Sequence, residues 1–460
     1  MFELVVDNPY TLDVATRRPL AEAADVDRVL DAARAAARRY AETPVKDRVA
    51  LCLAVVERME AHAETIAADI SRMMGKPLKQ ARGEVAGMAK RARYMASIAE
   101  ATLADAVLPP QEGFERRIAR VPFGVVFNLP AWNYPLLTAV NVVIPAVLAG
   151  NAVVLKHSPR SPLCGEHFAD AFRDAGAPAG LVQALHCDHE MAGRILADPR
   201  VDHVAFTGSV SGGHKVYAQA AASRFVDVGL ELGGKDAAYV AADADFDKAV
   251  DGLVDGACYN AGQSCCAVER AYVHRSLYDR FVEAAVALMK NYRLGDPMDA
   301  ATSLGPIAQP HHPLFIERQV EQAKAAGARV LFGGKRTQVD GKGRFFEPTV
   351  IVDVAPHLDV MRVETFGPVL PIVPVDSDEE ALALMNDSDL GLTAAIYTKD
   401  RDRAERMARK LEVGTVYMNQ CDTLDPALPW TGVKDSGKGS TLSTIGLLNL
   451  TRPKSINFKL

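Results

Sequence analysis

The stretch "GVVFNLPAWNYP" (Gly124 to Pro135) reads as a short apolar strand that stops at a proline and turns through an asparagine set between aromatic residues. Four runs of the same kind follow it: "NAVVLK" (151–156), "LVQALH" (181–186), "HVAFTG" (203–208) and "FVDVGLEL" (225–232), with helical stretches between them. Apolar strands alternating with helices are the pattern of a parallel sheet covered on both faces. The fold class is therefore α/β. The turn after the first strand holds no G-x-G-x-x-G, so a conventional Rossmann fingerprint is missing. No Gly-Lys pair is followed by Ser or Thr, which removes the phosphate loop of nucleotide hydrolases as well.

Outward from this stretch, apolar residues recur at helical spacing from Val26 to Glu100, with a stop at Gly75 and Pro77. After Asp236 the strand–helix alternation resumes and runs to "GTVYMNQ" (414–420), before a last extended run, "KSINFKL" (454–460). Two α/β domains are expected, with Glu231 to Cys265 spanning the join. The segment "GGKRTQVDGKGRFF" (333–346) reads as an exposed, turn-rich connection.

Composition narrows the function. The 460 residues are 49% hydrophobic and 24% charged, and the net charge of −6 argues against nucleic acid or an anionic membrane as partner. No charged-then-apolar leader and no run of about 18 apolar residues occurs, so the reading is a cytoplasmic protein. Seven cysteines at irregular spacing are read as thiols. "HCDHE" (186–190) matches no common metal spacing; Asp188 or His189 opens the following helix, no metal site is expected, and His311-His312 is read as surface loop.

The chemistry is carried by residues far apart in the chain. "NAGQSCCAVER" (260–270) sets Cys265 beside Cys266, "ELGGK" (231–235) supplies a carboxylate at a strand end, "AWNYP" (131–135) an amide, and "ETFGP" (364–368) a second carboxylate. A thiol, a base, an amide donor and a further carboxylate suit acyl chemistry.

Together, "PAWNYP", "FTGS" (206–209), "ELGGK", "NAGQSC", "ETFGP" and "PWTGVKDSG" (429–437) resemble the aldehyde dehydrogenase superfamily, in its order and over nearly the whole chain. The resemblance implies a Rossmann-like cofactor domain (1–103 and 123–233), an α/β catalytic domain (234–436) and a small β oligomerisation arm (104–122 and 437–460). It implies NAD(P)-dependent oxidation of an aldehyde to the acid, with Cys265 as nucleophile, Asn133 and the Cys265 N–H holding the oxyanion, and Glu231 activating water. Cys266 is then a packed neighbour, and Lys235 is either a charge acting on the thiol or a packing or surface ion-pair residue.

By the same resemblance the dinucleotide, NAD or NADP, meets Leu129, Trp132, Lys156, Ser158, Gly208, Ser209, Leu232, Glu364 and Phe366. Pro159 stands where many NAD-preferring members carry a ribose-binding glutamate, and Arg160 beside it is a candidate partner for a 2′-phosphate. The aldehyde passage is implied to be Tyr134, Thr138, Asn141, Ser264, Leu424 and Trp430, with Asp422 either a turn residue or an attractor of cations. Relatives that oxidise succinate semialdehyde resemble this chain but carry arginine at the Asn141 position, so a medium-sized aliphatic or aromatic aldehyde is favoured and a semialdehyde is the alternative. Glu231 disfavours the branch that hands the acyl group to coenzyme A, and the full catalytic set disfavours a non-catalytic member. A homodimer or homotetramer is implied.

Overall fold

The five apolar runs lie side by side. In the computed structural model, which describes residues 2–460, the strands Val125–Leu129, Ala152–Leu155, Val182–Ala184, His203–Thr207 and Asp227–Glu231 form a parallel sheet. The first two are buried along their whole length, because helices cover both faces. Numbered along the chain, these five strands run 5-4-1-2-3 across the sheet. The chain therefore reverses direction across the sheet between Val125–Leu129 and His203–Thr207, and ligands of open α/β sheets bind beyond the carboxyl ends at such a point. "PAWNYP" leaves one of those ends and "GS" (208–209) the other.

A second sheet of seven strands spans Ala237–Val240 to Thr415–Met418, parallel except for the edge strand Arg329–Phe332. Each large sheet has its own apolar core, the first shared with the N-terminal helices. The strands Thr451–Lys459 and Phe114–Pro122 pair antiparallel over nine residues, with Ala106–Val107 beyond them. No helix among the described residues is long and apolar enough to cross a membrane.

Three expectations need correction. Residues 437–450 do not belong to the arm: Gly437–Lys438 pair with Leu230 and Glu231 at the edge of the first sheet, and Ser443–Leu448 is a helix packed on Leu78–Leu103. "GGKRTQVDGKGRFF" contains a hairpin, Arg336–Val339 with Lys342–Phe346, turned at Asp340 and Gly341, both with positive φ. His312 is not surface loop: it begins the helix His312–Ala325, and its Nε2 lies 3.1 and 3.0 Å from the carbonyls of Thr365 and Phe366.

The N-terminal helices position the site through a buried ion pair. Lys76 and Glu84, each with a side chain 1% exposed, bond to one another, and Lys76 Nζ sits 3.9 Å from the centre of the Tyr134 ring. Glu84 Oε1 also accepts the N–H of Leu136 (2.8 Å) in the first turn of the helix Pro135–Leu148, where backbone donors lack intrahelical partners. Removing one partner strands the other charge. Lys76→Met is expected to lower the urea-unfolding stability by about 3–5 kcal/mol, and Lys76→Met with Glu84→Leu to recover part of that loss.

Candidate active site

The helix Phe246–Cys258 ends in a turn that few sequences could hold. Asn260, Ala261 and Gly262 take φ of 53°, 56° and 70° in succession. A Cβ on Gly262 would stand 2.3 Å from the backbone of Gly367, so this loop and "ETFGP" pack glycine against glycine. Side-chain amides staple the turn: Gln263 donates to the Asn260 carbonyl (3.0 Å) and accepts the Ala308 N–H (2.9 Å), while Asn260 Nδ2 donates to the Asn133 and Gln263 carbonyls (3.0 Å each).

The turn delivers Cys265, half-buried, to a cavity of about 1020 Å³. Cys266 borders the same cavity but is buried, and its thiol is held by an acidic partner. Its buried thiol donates to Asp422 Oδ1 (2.8 Å), which also accepts Ser264 Oγ (3.1 Å). The adjacent Cys265 thiol and burial push the Cys266 thiol well up, and burial pushes Asp422 up to about 6. The Cys265 N–H has no acceptor among the described residues. Asn133, buried, uses one N–H on the Gln263 carbonyl (3.2 Å) and keeps the other.

Glu231 lines this cavity and a second, smaller one of about 370 Å³. Its carboxylate accepts the hydroxyls of Thr441 and Thr207, the latter at 3.1 Å. Burial raises its pKa above the usual carboxylate value, and the two hydroxyls and the Arg91 charge only oppose this. Tyr134, Thr138, Asn141, Ser264, Leu424 and Trp430 line the same cavity as Cys265, and so does Leu232.

Leu129, Trp132, Lys156, Ser158, Gly208 and Ser209 line a separate cleft of about 870 Å³, at the point where the first sheet changes direction. Thr207 borders both spaces. Ser209 caps the helix Val210–Ser223, accepting the Gly212 N–H at 3.1 Å, which leaves a helix N-terminus facing the cleft. Phe366 meets Trp132 edge-on at 5.6 Å. Glu364 Oε1 accepts the Gly234 N–H (3.2 Å), Oε2 has no donor among the described residues, and burial beside Glu269 pushes the carboxyl up to about 8. A Cβ on Gly233 would stand 2.3 Å from that carboxylate. A helix N-terminus for a pyrophosphate, a buried lysine and an unfilled carboxylate acceptor for ribose hydroxyls fit a dinucleotide.

Arg160 has other work than expected, and Lys235 takes the packing role left open for it, in a buried rather than a surface ion pair. Arg160 donates to Asp7 and to the Met73 carbonyl (2.7 Å), so it is not free to meet a 2′-phosphate. Lys235 is fully buried and donates to Glu269 (2.5 Å) and Thr365 Oγ1 (3.0 Å). Sequence reasoning missed Thr207, Thr441 and above all Arg91, which lines the Cys265 cavity. A signal existed for Arg91: Glu84 and Arg91 fall on the same buried stripe as Met88 and Met95, where apolar residues belong.

The profile of the aldehyde dehydrogenase family matches residues 3–456. The chain belongs to that family. This aldehyde dehydrogenase is 37% identical over 441 residues to the NAD(P)+ succinate semialdehyde dehydrogenase Sad of Escherichia coli K12, covering 96% of this chain and 94% of the relative. It is 35% identical over 458 residues to the peroxisomal aminoaldehyde dehydrogenase 1 of Malus domestica, covering 98% and 91%. Among solved structures it superposes on the betaine aldehyde dehydrogenase of Staphylococcus aureus in complex with NAD+ at a TM-score of 0.95, with 32% identity over 99% of this chain and 92% of that one. It is an NAD(P)-dependent enzyme that oxidises aldehydes. Gly262→Ala joins a positive φ to a backbone clash, and should cost this enzyme about 2 kcal/mol or more in urea unfolding and abolish turnover.

Proposed function

We infer that this aldehyde dehydrogenase releases a free acid through a thioester on Cys265. The reading rests on one observation: Cys265, its unpartnered N–H and the raised carboxyl of Glu231 share a cavity, with the spare Asn133 N–H beside the cysteine loop. The Cys265 thiolate attacks the aldehyde carbon, and the carbonyl electron pair moves to oxygen. The Asn133 amide and the Cys265 N–H donate to that oxyanion, where charge develops. The nicotinamide, when bound, supplies the acceptor for the hydride that leaves the substrate carbon. Glu231 then takes a proton from water as the water attacks the thioester, the C–S bond breaks, and the thiolate is restored. The presence of Glu231 favours water over coenzyme A as the acyl acceptor.

In the cofactor cleft, Lys156 and Glu364 are the ribose partners, Ser209 and the helix behind it take the pyrophosphate, and Trp132, Leu129 and Phe366 border the base and ring. With Pro159 in the usual glutamate position, the one carboxylate lining the cleft among the described residues is Asp7, which is neutralised by Arg160 and Arg344. The first sheet with 1–103 and 437–450 is thus the cofactor domain and 234–436 the catalytic one. The strand Thr451–Lys459 leaves an open edge with Phe458 and Leu460 exposed, which suits a homodimer or homotetramer. Seven unpaired cysteines suit a cytoplasmic setting.

The roles are tested by following reduced-nicotinamide absorbance. Cys265→Ser should lose more than about 10³-fold in kcat, whereas Cys266→Ser, which keeps a donor for Asp422, should remain active; the reverse result assigns the nucleophile to Cys266. Glu231→Gln should give one burst of reduced nicotinamide and then stall at the thioester. Glu231 must be deprotonated to act as base, so hydrolysis falls as pH drops through its raised pKa. The acid limb of kcat should therefore lie above the usual carboxylate range and vanish from the single-turnover burst of Glu231→Gln.

A further inference from the structure

Arg91 is a buried cation without an anion. At 9% exposure it lines the cavity of Cys265, yet no carboxylate lies within 4.0 Å of its nitrogens among the described residues. Nη1 donates to Asn141 Oδ1 (3.0 Å) and, at 3.4 Å, to the Leu137 carbonyl. Nε and Nη2 have no acceptor among the described residues and are not sealed by protein, and Arg91 lines the cavity, so both are open to it. The nearby titratable groups are Glu231, Glu84, Cys265 and Cys266. Both carboxylates are committed: Glu231 to Thr207 and Thr441, Glu84 to Lys76 and the Leu136 N–H. Taking a guanidinium out of water is costly unless an anion meets it, and the apolar stripe of its helix has no packing need for one.

We propose that Arg91 is the specificity residue of the aldehyde cavity, pairing with a carboxylate at the end of the substrate remote from the aldehyde. The proposal rests on reading this cavity as the site of aldehyde oxidation. Asn141 holds one arm of the guanidinium, which leaves the fork of Nε and Nη2 to take both carboxylate oxygens. Arg91 and Cys265 line one cavity, and Asn141 stands six residues beyond Pro135, roughly 9 Å along the helix axis. That span suits a short aliphatic chain with its reacting carbon at Cys265 and its charge at Arg91. Asp245, Asp251, Asp255 and Asp422 line the same cavity, which makes a cationic aldehyde the competing substrate.

The test compares kcat/KM for succinate semialdehyde, butanal and 4-aminobutanal with wild type, Arg91→Met and Arg91→Lys. Wild type should prefer the carboxylated aldehyde. Arg91→Met should lower the ratio of succinate semialdehyde to butanal by about 10²-fold or more, through KM, and Arg91→Lys should restore part of it. A wild-type preference for butanal or 4-aminobutanal overturns the proposal and leaves the oxidation reading intact. So does a fall in kcat for all three aldehydes at an unchanged ratio, with a shifted acid limb, because Arg91 then acts only through Glu231. Should Arg91→Met not fold, inhibition of wild type decides: succinate should compete with butanal where butanamide does not, and equal weakness of the two overturns the proposal. No reduced nicotinamide from any of the three aldehydes removes the oxidation reading and the proposal with it.

Discussion

Lys235 and Glu269 form an ion pair at 2.5 Å from which water is excluded, and three motifs distant in the chain meet on it. Lys235 closes "ELGGK" at the join between the two large sheets. Glu269 follows the cysteine loop and accepts the N–H groups of Thr365 (2.8 Å) and Phe366 (2.8 Å) from "ETFGP". The neighbouring backbone repeats the tie: Arg270 donates to the Lys235 carbonyl, and Glu269 and Arg270 N–H groups both donate to that of Asp236. Glu231, Cys265, Glu364 and Phe366 are therefore held relative to one another by a single satisfied charge pair. A buried pair costs desolvation whether or not it adds stability. Here it ties the Glu364–Phe366 segment to the loop that carries Cys265.

That anchoring makes the cysteine turn affordable. Left-handed conformations at Asn260 and Ala261 cost on the order of 1–3 kcal/mol each, and they persist only where the surroundings over-determine them. Gln263 and Asn260 provide the hydrogen bonds, and Gly367 provides the space. The turn also answers why two cysteines stand side by side. Both thiols border the cavity, but Cys266 is buried and bonded to Asp422 while Cys265 is half-buried, so on the proposed mechanism the pair divides between reaction and support.

Much of this was legible in the sequence because its signals are local. Buried parallel strands such as Val125–Leu129 are continuous apolar runs, and motifs with glycine, proline and asparagine at fixed places mark the turns that carry the site. The failures have local reasons too. Gly437–Lys438 is a two-residue edge strand, too short to carry a pattern, and the hairpin of Arg336–Phe346 hides in the turn residues it needs. Arg160 looked free because its partner, Asp7, lies 153 positions away. His312 was taken for loop although it holds two carbonyls of the Phe366 segment.

Arg91 was missed for a different reason. Reading position by position asks whether an arginine stands at residue 141, and finds asparagine. In three dimensions the helices Leu78–Leu103 and Pro135–Leu148 pack together, and the Asn141 amide oxygen is occupied by the Arg91 guanidinium from the neighbouring helix. The charge absent from one helix is thus supplied to the same wall of the cavity by the other, with Asn141 as its holder. What a substrate meets is a charge at a point in space, and two helices contribute to that point. Helical spacing sets Arg91 on a buried stripe, but where its charge meets the Asn141 helix follows from how the two helices pack.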